Sequence, residues 1–314
     1  MSFSSEVKEE LEKHLRSTKH CQIAELAAII HYCGHLVRGK EGELQLQILT
    51  ENFSVVRKCF TILNKTFNIE TSEQEKECFQ NGKTAGFTIV LDKEQDILNI
   101  FKAIKLIDKK GVLHDLKGTV NPLILKKSCC QRGFLRGAFL CIGSMSNPQK
   151  SYHLEMVCNN IFQAQQLQQL QQGFGLDAKI ISRKKYFVVY LKEGSNIVDF
   201  LNICEAHVSL MKLENLRIIK EMRNSINRRV NCETANIAKT VNAATKQIED
   251  IEFIRDCMGF AKLSKNLKQM AEVRLEYPEA TLKELGQYLN PPVGKSGVNH
   301  RLRKLSEIAD SNRI

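Results

Sequence analysis

The chain has 314 residues, too many for one small domain and enough for two or three. With 43% apolar and 26% charged residues it has a globular composition, which excludes a disordered chain. Lysine and arginine number 46 against 35 acids, a formal net charge of +11, so a polyanion is the expected partner and nucleic acid the first candidate.

The start, residues 1–12 (MSFSSEVKEELE), is polar and carries acids, unlike a signal peptide. No apolar run approaches the roughly 18 residues of a membrane span, so no membrane partner and a cytoplasmic, nucleoid-associated location are expected. From residue 26 onward the periodicities repeat themselves. Residues 26–34 (LAAIIHYCG) read as an apolar helix with small residues inside it and a glycine stop. An alternating strand follows over 44–49 (LQLQIL), then a helix over 55–67, strand-like stretches over 69–79 and 84–91, and a helix over 95–106. The same order returns: a helix with a glycine stop over 135–143 (LRGAFLCIG), a strand over 153–157, a helix over 161–174, strands over 178–183 and 186–192, and a helix over 196–206. Copies offset by about a hundred residues predict an α+β domain over 1–210, a pseudo-twofold built from halves 1–110 and 125–210. Two basic clusters in the second half, one of Lys126, Lys127, Arg132 and Arg136 and one of Arg183, Lys184 and Lys185, are candidates to face DNA or simply solvent.

The 11 cysteines form no C-x-x-C pair, so no metal or cofactor is expected and the thiols read as small buried hydrophobes. Cys129 and Cys130 precede Arg132 and Arg136, cations that could lower a thiol pKa for a redox switch; packing at a helix start is the preferred reading.

Beyond about residue 210 the pattern is helical. Helices are expected over 214–228 and 234–257, within a basic helical linker spanning 211–260. Lys212, Arg217, Lys220, Arg223, Arg228 and Arg229 face either solvent or phosphate there. Residues 261–314 predict an all-α helix-turn-helix. A helix over 263–276 breaks at Pro278; Thr281 and Glu284 form a capping box; Leu282, Leu285 and Leu289 face one core. Residues 290–294 (NPPVG) turn the chain, and Ser296 is a candidate N-cap. Val298, Leu302, Leu305 and Ala309 then form a buried stripe. The last helix is basic and has no acid between Asn290 and Ser306, as expected of a DNA-reading helix. Asn299, His300 and Arg303 are the candidates for base edges; Lys295, Ser296, Arg301 and Lys304 are the candidates for phosphate.

Residues 26–34 and 135–143 align without gaps to the LAGLIDADG motif, and the first domain resembles the homing endonucleases that carry it. The resemblance implies that the motif helices pack together at the pseudo-twofold, as the small Ala27, Ala28, Gly137 and Ala138 permit, and that a sheet from each half lies in the DNA major groove. In active members the acid before the final glycine binds a divalent metal. Cys33 and Ile142 stand there, with His31 and Leu140 at the other acid position. Isoleucine cannot ligate, and a thiol is a poor donor to Mg²⁺, so the fold is expected without the nuclease activity and with no catalytic residue. The alternative is a metal-dependent endonuclease whose acids, such as Glu51 or Asp108, are unrecognised. A narrower resemblance covers nearly the whole chain. Residues 134–148 (FLRGAFLCIGSMSNP), 150–155, 186–200, 220–236 and 291–305 (PPVGKSGVNHRLRKL) resemble the WhiA family. That implies a degenerate LAGLIDADG domain joined to a C-terminal helix-turn-helix, in a DNA-binding transcriptional regulator of cell division, chromosome segregation or sporulation. Double-stranded DNA is the implied partner, with a transcription or cell-division protein second; a protein-interaction scaffold is the rival reading.

Overall fold

The computed structural model describes residues 2–38, 43–70, 86–108 and 110–313. The chain divides into two compact units, Met1–Lys220 and Glu221–Ile314.

The first unit opens with a helix the sequence pattern hid. In α1 (Phe3–Lys13) only Phe3, Val7 and Leu11 are buried, a stripe one residue wide on an otherwise polar helix. The two motif helices are α2 (Lys19–Cys33) and α5 (Ser128–Ile142), both almost wholly buried. The glycines after them do not stop the chain. Gly34 and Gly143 are extended, and strands β1 (Gly34–Arg38) and β4 (Gly143–Met145) begin on them. Neither strand was expected, because each is short and starts inside the motif.

The two halves then run in parallel. The first continues through β2 (Leu44–Thr50), α3 (Phe53–Phe67), β3 (Phe87–Leu91) and α4 (Glu94–Ala103). The second continues through β5 (Leu154–Cys158), α6 (Ile161–Gly173), β6 (Lys179–Arg183), β7 (Tyr186–Leu191) and α7 (Gly194–Cys204). The sheets are antiparallel, ordered β1-β2-β3 and β4-β5-β7-β6. Most of the strand expected over 69–79 lies outside the described residues. Leu46 and Ile48 on β2, and Leu154, Met156 and Cys158 on β5, alternate into the core under the helices.

At the pseudo-twofold α2 and α5 nearly touch backbone to backbone. A Cβ on Gly137 would lie 2.6 Å from the Glu25 carbonyl oxygen and 3.0 Å from Ala28 Cβ. Gly137→Ala should therefore destabilise the domain by roughly 1–3 kcal/mol. The same change in an exposed helix would stabilise by up to about 1 kcal/mol. The urea midpoint reads the sign directly, and a rise would mean that the helices can move apart freely.

Beside that contact lies a buried ionic cluster. Glu25 of α2 meets Lys58 of α3 and Arg136 of α5 at 3.1 Å each. Arg136 also donates to Glu205 at 2.9 Å and to the Cys204 carbonyl at 3.2 Å. Glu205 also pairs with Arg16 and is hydrogen-bonded to His14, whose ring burial keeps neutral at pH 7. Arg136 is completely buried, so it cannot face DNA as its basic neighbourhood had suggested. The opposite charges of Glu25 and Glu205 hold it inside.

Helix α8 (His207–Cys257) is one continuous helix where two were expected. No glycine or proline occurs in this span, so nothing between 228 and 234 breaks it. Its leading turns belong to the first unit, where Lys212 pairs with Glu6, Arg217 with Glu214, and Lys220 donates to the Pro148 carbonyl. Arg223, Arg228 and Arg229 are exposed, Arg229 paired with Glu233, and Lys212 is exposed as well. The second unit gathers a separate core from Ile251 and Ile254 of α8 and from α9 (Lys265–Glu276), α10 (Leu282–Tyr288) and α11 (Lys295–Asn312).

Candidate nucleic-acid interface

The last three helices are tied by specific local contacts. The capping box of α10 is formed: Thr281 Oγ1 accepts from Glu284 N–H, and the Glu284 carboxylate accepts from Thr281 N–H at 2.8 Å. Arg274 of α9, buried, donates to the Ala280 carbonyl at 2.7 Å and fixes the loop that enters α10. Leu285 and Leu289 point into the core, and Leu282 packs at its edge. The chain then turns over 289–294 and closes back onto α10, where Val293 N–H donates to the Gly286 carbonyl at 2.9 Å. Only glycine fits there, since a Cβ on Gly286 would sit 2.1 Å from the Val293 carbonyl oxygen. The sequence patterns did not single out Gly286, because a glycine inside a short helix looks like a weakness rather than a contact.

Helix α11 buries Val298, Leu302, Leu305 and Ala309, the expected stripe. Its N-cap is Gly294, not Ser296, and no side chain bonds the helix start. Ser296 lies one residue into the helix and is exposed. The first turn of α11 thus has no side-chain acceptor at its N-cap, and Lys295 is its first residue. Lys295, Asn299, His300, Arg303 and Lys304 are exposed and Arg301 is half-buried. Arg303 reaches Glu307 at 3.3 Å, but both side chains are largely in solvent, so the pair is weak. All seven sequence candidates therefore lie outside the α11 stripe, six of them exposed. No acid occurs on α11 before Glu307.

In the first unit each sheet turns one face away from its helices. On the first sheet that face carries His35, Val37, Gln45, Gln47 and Leu49, with no formal charge among them. On the second it carries Glu155, Lys179, Ile181, Arg183, Tyr186 and Tyr190. Lys184 and Lys185 form the two-residue turn between β6 and β7, Lys184 with a left-handed φ of 56°.

At the C-terminal ends of α2 and α5 a cleft of about 1300 Å³ opens. Cys33, Cys141 and Ile142 line it, as do Lys8, Glu51 and Asn52. Lys8 comes from α1, the unexpected helix. Burial pushes its ammonium below the usual lysine pKa, and Cys141 and Cys33 partly oppose that shift. The motif-acid positions thus carry Cys33 and Ile142, while Cys141, Lys8 and the carboxylates of Glu9, Glu12 and Glu51 also line the cleft. Of the alternative acids, Glu51 does line the cleft. Asp108 does not: its carboxylate accepts from the N–H groups of Lys110 and Val112 and closes a loop.

The chain is similar to proteins of one family along its whole length. Residues 19–104 match a family model described as the WhiA N-terminal LAGLIDADG-like domain, 131–223 the WhiA LAGLIDADG-like domain, and 226–309 the WhiA C-terminal HTH domain. A probable cell division protein WhiA of Lachnoclostridium phytofermentans is 52% identical over 314 residues, covering 100% of both chains. That of Alkaliphilus oremlandii is 46% identical over 310 residues, 98% of this chain and 97% of its own. Among solved structures, full-length DUF199/WhiA from Thermatoga maritima matches over 99% of each chain, with 25% identity and a TM-score of 0.60.

Proposed function

Because the chain belongs to the WhiA family, we propose that it is a non-catalytic protein that binds double-stranded DNA and regulates transcription linked to cell division, chromosome segregation or sporulation. The observation that carries this reading is the exposed face of α11, basic and without an acid before Glu307. A helix of that kind behind a turn enters the major groove with its N-terminal residues toward the bases. Asn299, His300 and Arg303 are assigned to base edges, Arg303 with the fork geometry that suits guanine. Lys295, Ser296, Arg301 and Lys304, together with the open helix start, are assigned to phosphates. The first unit is read as a scaffold rather than a nuclease, since Lys8, Cys33 and Ile142 give a hard divalent cation no carboxylate at the motif positions. Among the described residues no helix is long and apolar enough to cross a membrane.

A gel-shift titration with genomic fragments, run with Mg²⁺ at two salt concentrations, tests both parts. The expected result is a salt-sensitive shift of a subset of fragments and no cleavage. Arg303→Ala should weaken binding to the selected fragments by roughly 1–3 kcal/mol and relax their sequence preference. Lys295→Ala should weaken all fragments alike and reduce the salt slope by about one. Unchanged affinity and preference in Arg303→Ala would remove that residue from the reading face, and cut DNA would return the chain to the nucleases.

A protein partner is the second reading, and a specific observation favours it. Ile219, Met222, Ile226, Val230, Ile237 and Val241 are all exposed on α8 at helical spacing. A transcription or cell-division protein could cover such a stripe.

A further inference from the structure

His20, Cys21, Cys129 and Cys130 come from distant parts of the sequence, yet their ligand atoms all lie within 4.8 Å of one another. Spacing in the sequence had argued against a metal, because no two cysteines are separated by two residues. The fold supplies the proximity instead. His20 Nδ1 is 3.3 Å from the Cys130 sulfur and 3.3 Å from the Cys21 sulfur. We propose that these four residues bind a zinc ion that clamps the two halves of the first unit together at the N-terminal ends of the motif helices.

The placement obeys the internal symmetry. Counting from the N-caps Thr18 and Lys127, His20 and Cys129 are the second residues of α2 and α5, and Cys21 and Cys130 are the third. Each half thus donates two ligands from the same two helical positions, on opposite sides of the pseudo-twofold. A tetrahedral site with metal–sulfur distances near 2.3 Å needs sulfurs about 3.8 Å apart, which the cluster reaches with shifts below about 1 Å. Three thiolates and one imidazole form a closed, soft donor set that selects zinc over magnesium or calcium. Two helix starts without side-chain caps converge on it, and their dipoles favour the anionic thiolates. Burial, with Cys21 and Cys129 beside it, pushes the Cys130 thiol up to about 12. A bound cation reverses that balance and displaces the protons. His20 is exposed and Cys129 half-buried, so an ion has a way in. The site lies at the opposite ends of α2 and α5 from the cleft that holds Cys33 and Ile142, and it owes nothing to the nuclease chemistry.

The test uses the full chain, reduced, stripped with a chelator and titrated with Co²⁺ and then Zn²⁺. The expected result is about one Co²⁺ per chain, a thiolate-to-cobalt charge-transfer band, the visible bands of a tetrahedral site, and displacement by Zn²⁺. Cys130→Ser and Cys21→Ser should each abolish that spectrum; Cys232→Ser, at an exposed cysteine on α8, should keep it. Should a site variant fail to fold, judged by far-UV circular dichroism, the wild-type spectrum still decides, together with a lower melting temperature after chelation. A folded, reduced wild-type chain without the cobalt bands overturns the site. So does an unaltered spectrum in Cys130→Ser, or a Cys21–Cys130 disulfide in chain purified without reductant that contains no zinc.

Discussion

Replacing Arg136 by methionine will destabilise the first unit by about 3–5 kcal/mol, as expected when one partner of a buried ion cluster is removed. The reason is what stays behind. Arg136 has no solvent exposure and bridges Glu25 of α2 to Glu205 just beyond α7. Methionine fills much of the volume but leaves two carboxylates short of a cation. Glu25 retains only Lys58, and Glu205 keeps Arg16, which is nearly half-exposed, as its cation and His14 as a neutral hydrogen-bond partner. Lysine at 136 should rescue little, because a single ammonium cannot serve Glu25, Glu205 and the Cys204 carbonyl together. The double variant Glu25→Gln with Arg136→Met should cost less than the sum of the two single changes, since each then removes the other's unpaired charge. Urea unfolding measures all of these, and a loss below about 1 kcal/mol for Arg136→Met would show that water reaches the cluster.

Lowering the pH from 7 toward 4 will remove on the order of 3 kcal/mol of stability through His31 alone. His31 lies inside α2 and is buried, and burial pushes its pKa from 6.5 down to about 4. The native state therefore keeps the ring neutral while the unfolded chain protonates near 6.5. The stabilisation is complete above pH 6.5, declines as pH falls through the window, and is gone near pH 4. His14 is pushed down to about 4 by burial and by Arg136, so it acts in the same direction, more weakly because a third of it is exposed. Unfolding free energies at pH 7, 5.5 and 4.5 give the slope. His31→Gln should flatten it, and an equal slope in that variant would assign the acid sensitivity to other groups.

Much of the fold was readable because duplication repeats weak patterns. The strand over 44–49 alone is a short alternation. Its return over 153–157, in the same place after the same helix, makes it an element. What repetition could not reveal is α1, which has no counterpart marked in the second half and hides three buried residues among polar ones. The helix break expected between 228 and 234 failed for a different reason. The two helices were separated there on polar composition alone, but without glycine or proline nothing ends a helix. In the reading unit the stripe and the capping box were legible because both are local. The start of α11 was not, since Ser296 fits a cap by residue type while the turn geometry puts Gly294 in that place. The ionic cluster and the thiol–imidazole cluster were illegible in principle. The contacts that join the halves, His20 to Cys130 and Glu25 to Arg136, span 110 and 111 residues of chain, and the packing of α2 on α5 makes them neighbours.

Helix α1 also sets the order in which the protein can be finished during synthesis. It leaves the ribosome before the elements it packs on, yet Ser4 accepts a hydrogen bond from the Met145 N–H, and the Glu10 carboxylate accepts from the N–H groups of Val208 and Ser209. His14 likewise waits for Glu205. At about 5–20 residues per second, these partners follow some 7–40 seconds later. Through that interval Phe3, Val7 and Leu11 have part of their cover missing and remain open to whatever binds nascent apolar chain. The first half is thus held unfinished until the second has been made, and the two are completed together rather than in turn.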